Sequence, residues 1–189
     1  MTKSQTPPSL RTPRLILREW RDEDLEPFVT LSMDPEVMRY LTRPRERAEV
    51  ERWVEGVRAH FRHHGFGLWA LEVPGITPIA GFTGLTIVPY EAHFTPAVEI
   101  AWRLARECWG NGYVTEAAAA ALDFAFSDLH LEEIVANAAV ANRASIRVME
   151  RMGMMRNPHD DFDHPLKPPG DPLRRQVLYR LTQNMWLSR

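Results

Sequence analysis

The chain has 189 residues, 44% of them hydrophobic and 25% charged, with a formal net charge of −2. This is ordinary globular composition and enough chain to bury a core in a single domain. The near-neutral charge gives no general attraction for polyanions, which argues against nucleic acid as the main partner. No run approaches the ~20 apolar residues of a membrane span.

Residues 1–10 are polar and proline-containing and read as a flexible tail without the apolar core of a signal peptide. Residues 11–189 read as one domain, and a cytoplasmic location is expected. Arg14–Glu19 predicts a first strand. Asp22 offers an N-cap for a helix carrying Leu25, Phe28, Val29 and Leu31 at helical spacing. Asp34-Pro35-Glu36 begins a short helical turn. Arg45–His64 places Val50, Trp53, Val54, Val57 and Phe61 on one side of a long amphipathic helix, which Gly65-Phe66-Gly67 ends. Leu68–Val73 and Ile79–Val88 predict a hairpin turned at Pro74-Gly75, and Thr95–Leu104 continues the meander. In that third strand Val98, Ile100, Trp102 and Leu104 alternate onto one face. An alanine-rich helix follows over Gly112–Leu129, then a strand over Glu133–Ala138. Asn142–Arg151 predicts a short helix with Gly153 as its C-terminal glycine. Residues 157–172, rich in Pro, Asp and His, read as a loop, and Arg175–Leu181 as the last strand.

Between the third strand and the alanine-rich helix lies Arg106-Glu107-Cys108-Trp109-Gly110-Asn111-Gly112-Tyr113-Val114-Thr115-Glu116. A glycine loop opening a helix presents backbone N–H groups in one direction, and the helix dipole adds partial positive charge there, so the place suits a phosphate or pyrophosphate. Gly-Asn-Gly alone is a weak signal, because glycine pairs also make tight connections that bind nothing. Thr115 stands where a dinucleotide fingerprint needs its third glycine, and Tyr113-Val114 where a P-loop needs Lys-Ser/Thr. Cys108 is the single cysteine, so no internal disulfide forms, and no base beside it would activate a nucleophile.

Glu99-Ile100-Ala101-Trp102-Arg103-Leu104, followed by Trp109-Gly110-Asn111-Gly112-Tyr113-Val114-Thr115-Glu116-Ala117, resembles the acetyl-CoA loop of the GCN5-related N-acetyltransferases, the GNAT superfamily. Its form is similar to the branch that includes the RimJ/RimL ribosomal-protein acetyltransferases. Asn142-Arg143-Ala144-Ser145, with Glu150-Arg151-Met152-Gly153-Met154 after it, resembles that branch's Asn-x-x-Ser…Glu-x-x-Gly-Phe segment. Glu107 departs from the Gln or Arg common three residues before the first glycine. The resemblance covers roughly residues 10 to 183. It implies an α+β fold: a twisted, mostly antiparallel sheet of about seven strands, splayed at the cofactor site and flanked by about four helices.

The resemblance also implies roles. Acetyl-CoA is the cosubstrate and an amine, on a small molecule or a protein N-terminus, is the acceptor. Backbone groups around Trp102 and Leu104 would hold the pantetheine arm and acetyl carbonyl. Amides from Trp109, Gly110, Asn111, Gly112, Tyr113 and Val114 would hold the pyrophosphate. Asn142 would bond the pantetheine arm, though it reads equally as a helix N-cap. Ser145 would protonate the leaving sulfur, or else only bond the first turn. Glu99, if burial raises its pKa, would deprotonate the amine through a water. The competing reading makes it an exposed strand residue paired with an arginine, and His93 and the His159–His164 stretch are rival bases.

The two histidines and three carboxylates of His159-Asp160-Asp161-Phe162-Asp163-His164 match no standard metal spacing, so no metal is expected and a solvated or substrate-facing loop is preferred. Trp20, Trp53, Trp69 and Trp186 read mainly as core, with Trp69 and Phe66 as secondary candidates for the acceptor pocket. Arg143, Arg147 and Arg151 recur every four residues, on a solvated face or toward the cofactor's 3′-phosphate. A homodimer is compatible with this reading. The alternative from another class is a module that binds acetyl-CoA as a sensor without turning it over.

Overall fold

The computed structural model describes residues 8–41 and 46–189. Its strands are β1 (Leu10–Arg11), β2 (Ile16–Arg18), β3 (Leu68–Val73), β4 (Thr77–Ile87), β5 (Val98–Leu104), β6 (Glu133–Ala139), β7 (Met155–Arg156), β8 (Phe162–Asp163) and β9 (Arg175–Thr182). Its helices are α1 (Leu25–Met33), α2 (Pro35–Met38), α3 (Arg47–His64), α4 (Tyr113–Ser127), α5 (Arg143–Arg151) and α6 (Gln183–Leu187). The strands form one sheet in the order β1-β2-β3-β4-β5-β6-β9-β7, with β8 also on β9. Among the described residues there are nine strands against the expected seven, and three of the nine have only two residues.

Every pairing is antiparallel except β5 with β6. Those two run parallel because α4 carries the chain back along the sheet before β6 begins. They share a single register pair, Glu99 with Val135. Beyond it the strands separate, and the opening is what positions the site.

Helices cover both faces. Side chains alternate along each strand, so Phe82 and Thr83 of β4 point to opposite sides. Phe82 meets Phe28 of α1 at 6.0 Å and Trp53 of α3 at 4.9 Å between ring centroids. Trp69, which pairs with Thr83, meets Phe124 of α4 at 5.6 Å. By the same register Glu99, Ala101 and Arg103 share the face of α1 and α3, while Trp102 and Leu104 share the face of α4. Ala117, Ala118 and Ala121 are fully buried, so α4 packs closely on the sheet. A smaller cluster of Val88, Phe94, Val135, Phe162 and Leu178 lies beside Glu99.

Some expectations shift. Leu10 pairs with Leu17 in β1, while residues 1–7 of the expected tail lie outside the described residues. Asp22 does not cap the first helix: a 3-10 turn runs Asp22–Asp24 and α1 starts at Leu25. The reason is Asp24, which is 1% exposed and takes a bidentate pair of bonds from Arg18 at 2.7 and 2.8 Å, along with the Arg21 N–H. Arg18 also donates to Glu72 at 2.7 Å and to the Pro78 carbonyl, and Asp24, with Glu72 after it, raises its already high pKa against the cost of burial. Arg45, the expected start of the long helix, lies outside the described residues, and the helix occupies Arg47–His64. Within 157–172, expected as loop throughout, Phe162–Asp163 adds a short strand to β9.

Candidate active site

Where β5 and β6 part, a cleft of about 540 Å³ opens. Trp102, Arg103 and Leu104 line it from β5, and the first residues of α4 and α5 line it from the ends of the glycine loop and of β6. Gly110 and Gly112 have φ of 79° and 78°, left-handed backbone that L side chains rarely adopt. A Cβ on Gly110 would meet nothing within 4 Å, so the backbone there is open to an approaching group. Gly112 caps α4, whose first-turn N–H groups have no partners within the helix.

Of the residues singled out in the sequence, Trp102, Leu104, Trp109, Gly110, Gly112, Tyr113, Val114, Asn142 and Ser145 line this one cleft. Asn111 does not; its amide donates to the Cys108 and Trp109 carbonyls and shapes the loop from within. Trp109 is 47% exposed and donates from its indole to the Leu104 carbonyl at 3.0 Å, which ties the loop to the end of β5. Asn142 caps α5, its side chain accepting from the Ser145 N–H at 3.2 Å. Cys108 is buried, and burial and Glu107 raise its thiol pKa, the opposite of an activated nucleophile.

Sequence reading missed several parts. Arg14 and Thr12, a hundred residues earlier, clamp Glu116 in the first turn of α4: Arg14 Nε donates to it at 2.6 Å and the Arg14 N–H at 3.0 Å. Burial alone would raise the Glu116 carboxyl, and these bonds outweigh it and hold it low. Arg14 also donates to the Asn111 carbonyl and stacks on Tyr113, so the turn between β1 and β2 braces the glycine loop. Glu36, Val37, Arg39, Tyr40 and Leu41 of α2 and its end form a second wall of the cleft. Lys167 donates to the Leu41 carbonyl at 2.6 Å and so fastens that wall to the 157–172 loop. Of the three α5 arginines, Arg147 and Arg151 line the cleft and Arg143 does not.

Glu99 lies outside the lining of the cleft, on the face of α1 and α3 at the point where β5 and β6 separate. Its carboxylate accepts from Asn137 Nδ2 at 2.8 Å, and among the described residues no arginine ion pair to it is found. Burial pushes its pKa up to about 7, against the lowering effect of Asn137. Tyr90 stands nearby, its hydroxyl buried beside Asn137 without completing a hydrogen bond. Burial and then the Glu99 charge raise the phenol pKa, against the lowering effect of Asn137. Neither Asn137 nor Tyr90 was legible in the sequence, since no motif marks them.

The rival bases are differently placed. His93 Nε2 is 4.0 Å from Asp160. His164 packs on Tyr90 at 4.5 Å, accepts the Leu166 N–H on Nδ1, and has its pKa lowered by burial and Lys167. The carboxylates of this loop have arginine partners: Asp160 with Arg180, Asp161 with Arg156, Asp163 with Arg174 and Arg175. Trp69 and Phe66 are buried in the main core and do not line the cleft.

The family described as an acetyltransferase (GNAT) domain matches residues 14–155. An uncharacterized Bacillus subtilis (strain 168) protein, YkkB, is 35% identical over 146 residues, covering 77% of this chain and 84% of its own. The FsC-acetyl coenzyme A-N(2)-transacetylase of Aspergillus fumigatus is 30% identical over 191 residues, covering 95% of this chain and 78% of its own. The crystal structure of spermidine N-acetyltransferase from Vibrio cholerae, in complex with CoA and spermine, has the same fold, with a TM-score of 0.72 at 20% identity over 93% of this chain and 99% of that one. Family match, curated relatives and splayed sheet agree: the chain belongs to the GNAT acetyltransferase family.

Proposed function

We propose that residues 11–189 form one cytoplasmic acetyltransferase domain of the RimJ/RimL-like branch, which moves an acetyl group from acetyl-CoA to a primary amine by direct attack in a ternary complex. The observation that carries this is the single β5–β6 pair, with the glycine loop, the Asn142 cap and Ser145 all opening onto the cleft beyond it. In this reading the loop amides and the α4 dipole hold the pyrophosphate of the donor. The pantetheine arm runs between β5 and β6, bonded by Asn142 and by backbone groups of Trp102 and Leu104.

The acceptor enters from the α1 and α3 face and loses a proton to Glu99 through a water. A carboxyl with a pKa near 7 is half ionised at neutral pH and suits a base. The amine nitrogen then attacks the acetyl carbonyl, a C–N bond forms and the C–S bond breaks. The departing thiolate takes a proton from Ser145, which is restored from solvent. The reading needs no covalent enzyme intermediate, consistent with the raised Cys108 pKa.

The test is acetyl-CoA consumption with a panel of amines, followed by thiol release. Turnover with at least one amine is expected. Tight acetyl-CoA binding with no turnover on any amine would leave the sensor alternative.

A further inference from the structure

We propose that Tyr90 and Asn137 join Glu99 in the subsite that receives the acceptor amine, and that the acceptor is a primary amine on an apolar body carrying no carboxylate. This rests on the acetyltransferase reading and extends it to the acceptor.

The Tyr90 hydroxyl is buried, and among the described residues it has Asn137 within reach but no partner at full hydrogen-bond geometry. A buried hydroxyl without a well-made bond is destabilised relative to its paired state, so a ligand that supplies the partner binds with that advantage. Asn137 donates one N–H to Glu99. A primary amide has a second N–H and an acceptor oxygen, so the same side chain can orient Glu99 and meet an incoming amine. Tyr90 comes from the segment after β4, Glu99 from β5 and Asn137 from β6, so the three surround the point where the strands part. Tyr90 is the titratable group coupled to Glu99 by charge, while its register neighbours Thr86 and Val135 carry none.

Tyr90 also lines a second hollow of about 590 Å³, with Glu91 and the apolar Val88, Pro89, Ala92 and Pro96. Behind it Phe94 and Phe162 pack at 5.0 Å between centroids, and Tyr90 lies on His164. The hollow therefore opens on a mostly apolar lining and reaches Glu99 through Tyr90, whose phenol lies within charge range of that carboxylate. Among the described residues its lining holds one charge, Glu91, and no basic side chain. A carboxylate on the acceptor would face Glu91 and Glu99 with no cation to pair it, whereas an ammonium group is attracted by both.

Steady-state kinetics with acetyl-CoA and 2-phenylethylamine, phenylalanine or spermidine test this, since the first two differ by one carboxylate. We expect kcat/KM for phenylethylamine to exceed that for phenylalanine at least tenfold and that for spermidine by a smaller factor. Tyr90→Phe keeps the ring and its packing, and should raise the amine KM by about tenfold while leaving the acetyl-CoA KM unchanged. Asn137→Ser removes the bond that holds the Glu99 pKa down, so the acidic limb of the kcat/KM profile should move to higher pH. A preference for phenylalanine or spermidine overturns the acceptor class. Wild-type amine KM in Tyr90→Phe, together with an unmoved pH profile in Asn137→Ser, overturns the subsite while the acetyltransferase reading stands. A wild-type protein that binds acetyl-CoA and acetylates no amine overturns both.

Discussion

Glu99 should make the protein less stable as it becomes active, and Glu99→Gln exposes this. Its folded pKa of about 7 is raised above the ordinary 4.5 by burial, so the folded state holds the proton more tightly than the unfolded chain. For a raised carboxyl the stabilising contribution is complete below pH 4.5 and is lost as pH rises through 7. At full burial the shift corresponds to about 3 kcal/mol. Glu99 is partly accessible, and solvent screening reduces this to about 1.5 kcal/mol. In a chain of this size that is ~3–6 °C of melting temperature. Glutamine has the same shape and no charge, so Glu99→Gln should melt ~3–6 °C above wild type at pH 8 and match it at pH 4.5. Calorimetry or a thermal-shift series across that range measures the difference. The variant should also lose ~10²–10⁴-fold in kcat/KM with an amine, along with the acidic limb near pH 7. Equal melting differences at both pH values, or a Glu99→Gln protein less stable at pH 8, would refute the burial argument.

Ser145→Ala should lower kcat about a hundredfold with the acetyl-CoA KM nearly unchanged, because a thiolate proton donor acts after binding. Initial rates at saturating donor report it. Gly84→Ala should destabilise by about 3 kcal/mol, since its Cβ would sit 2.2 Å from the Gly67 carbonyl oxygen and 2.7 Å from Trp69 Cε3. Urea unfolding measures that loss, and a cost under about 1 kcal/mol would contradict the close approach of β3 and β4. Arg18→Ala strands the buried Asp24 carboxylate and should cost about 3–5 kcal/mol, or leave the protein unfolded, by the same assay.

The sequence alone determined most of the local elements and named most of the residues that line the β5–β6 cleft. Leu68–Val73 and Glu133–Ala138 were legible as strands because each is a short apolar run of adjacent residues, buried nearly throughout in the fold. The glycine loop and the Asn142 cap were legible because their chemistry is local: left-handed glycines, free helix N–H groups and a side-chain cap each need only a few neighbouring residues. Long-range partners were not legible. Asp22 looked like a cap because nothing in its segment shows Arg18 reaching Asp24, Glu72 and Pro78. The clamp of Thr12 and Arg14 on Glu116 spans about a hundred residues and carries no periodic signal. Glu99 could be named from its strand, but its pKa is set by burial and by Asn137 on a different strand. Tyr90 gains its meaning only where the segment after β4 folds against β5, β6 and the aromatic residues of the 157–172 loop. Burial and charge coupling belong to the packed molecule, so only the tertiary structure decided that Glu99, Asn137 and Tyr90 come together where β5 and β6 part.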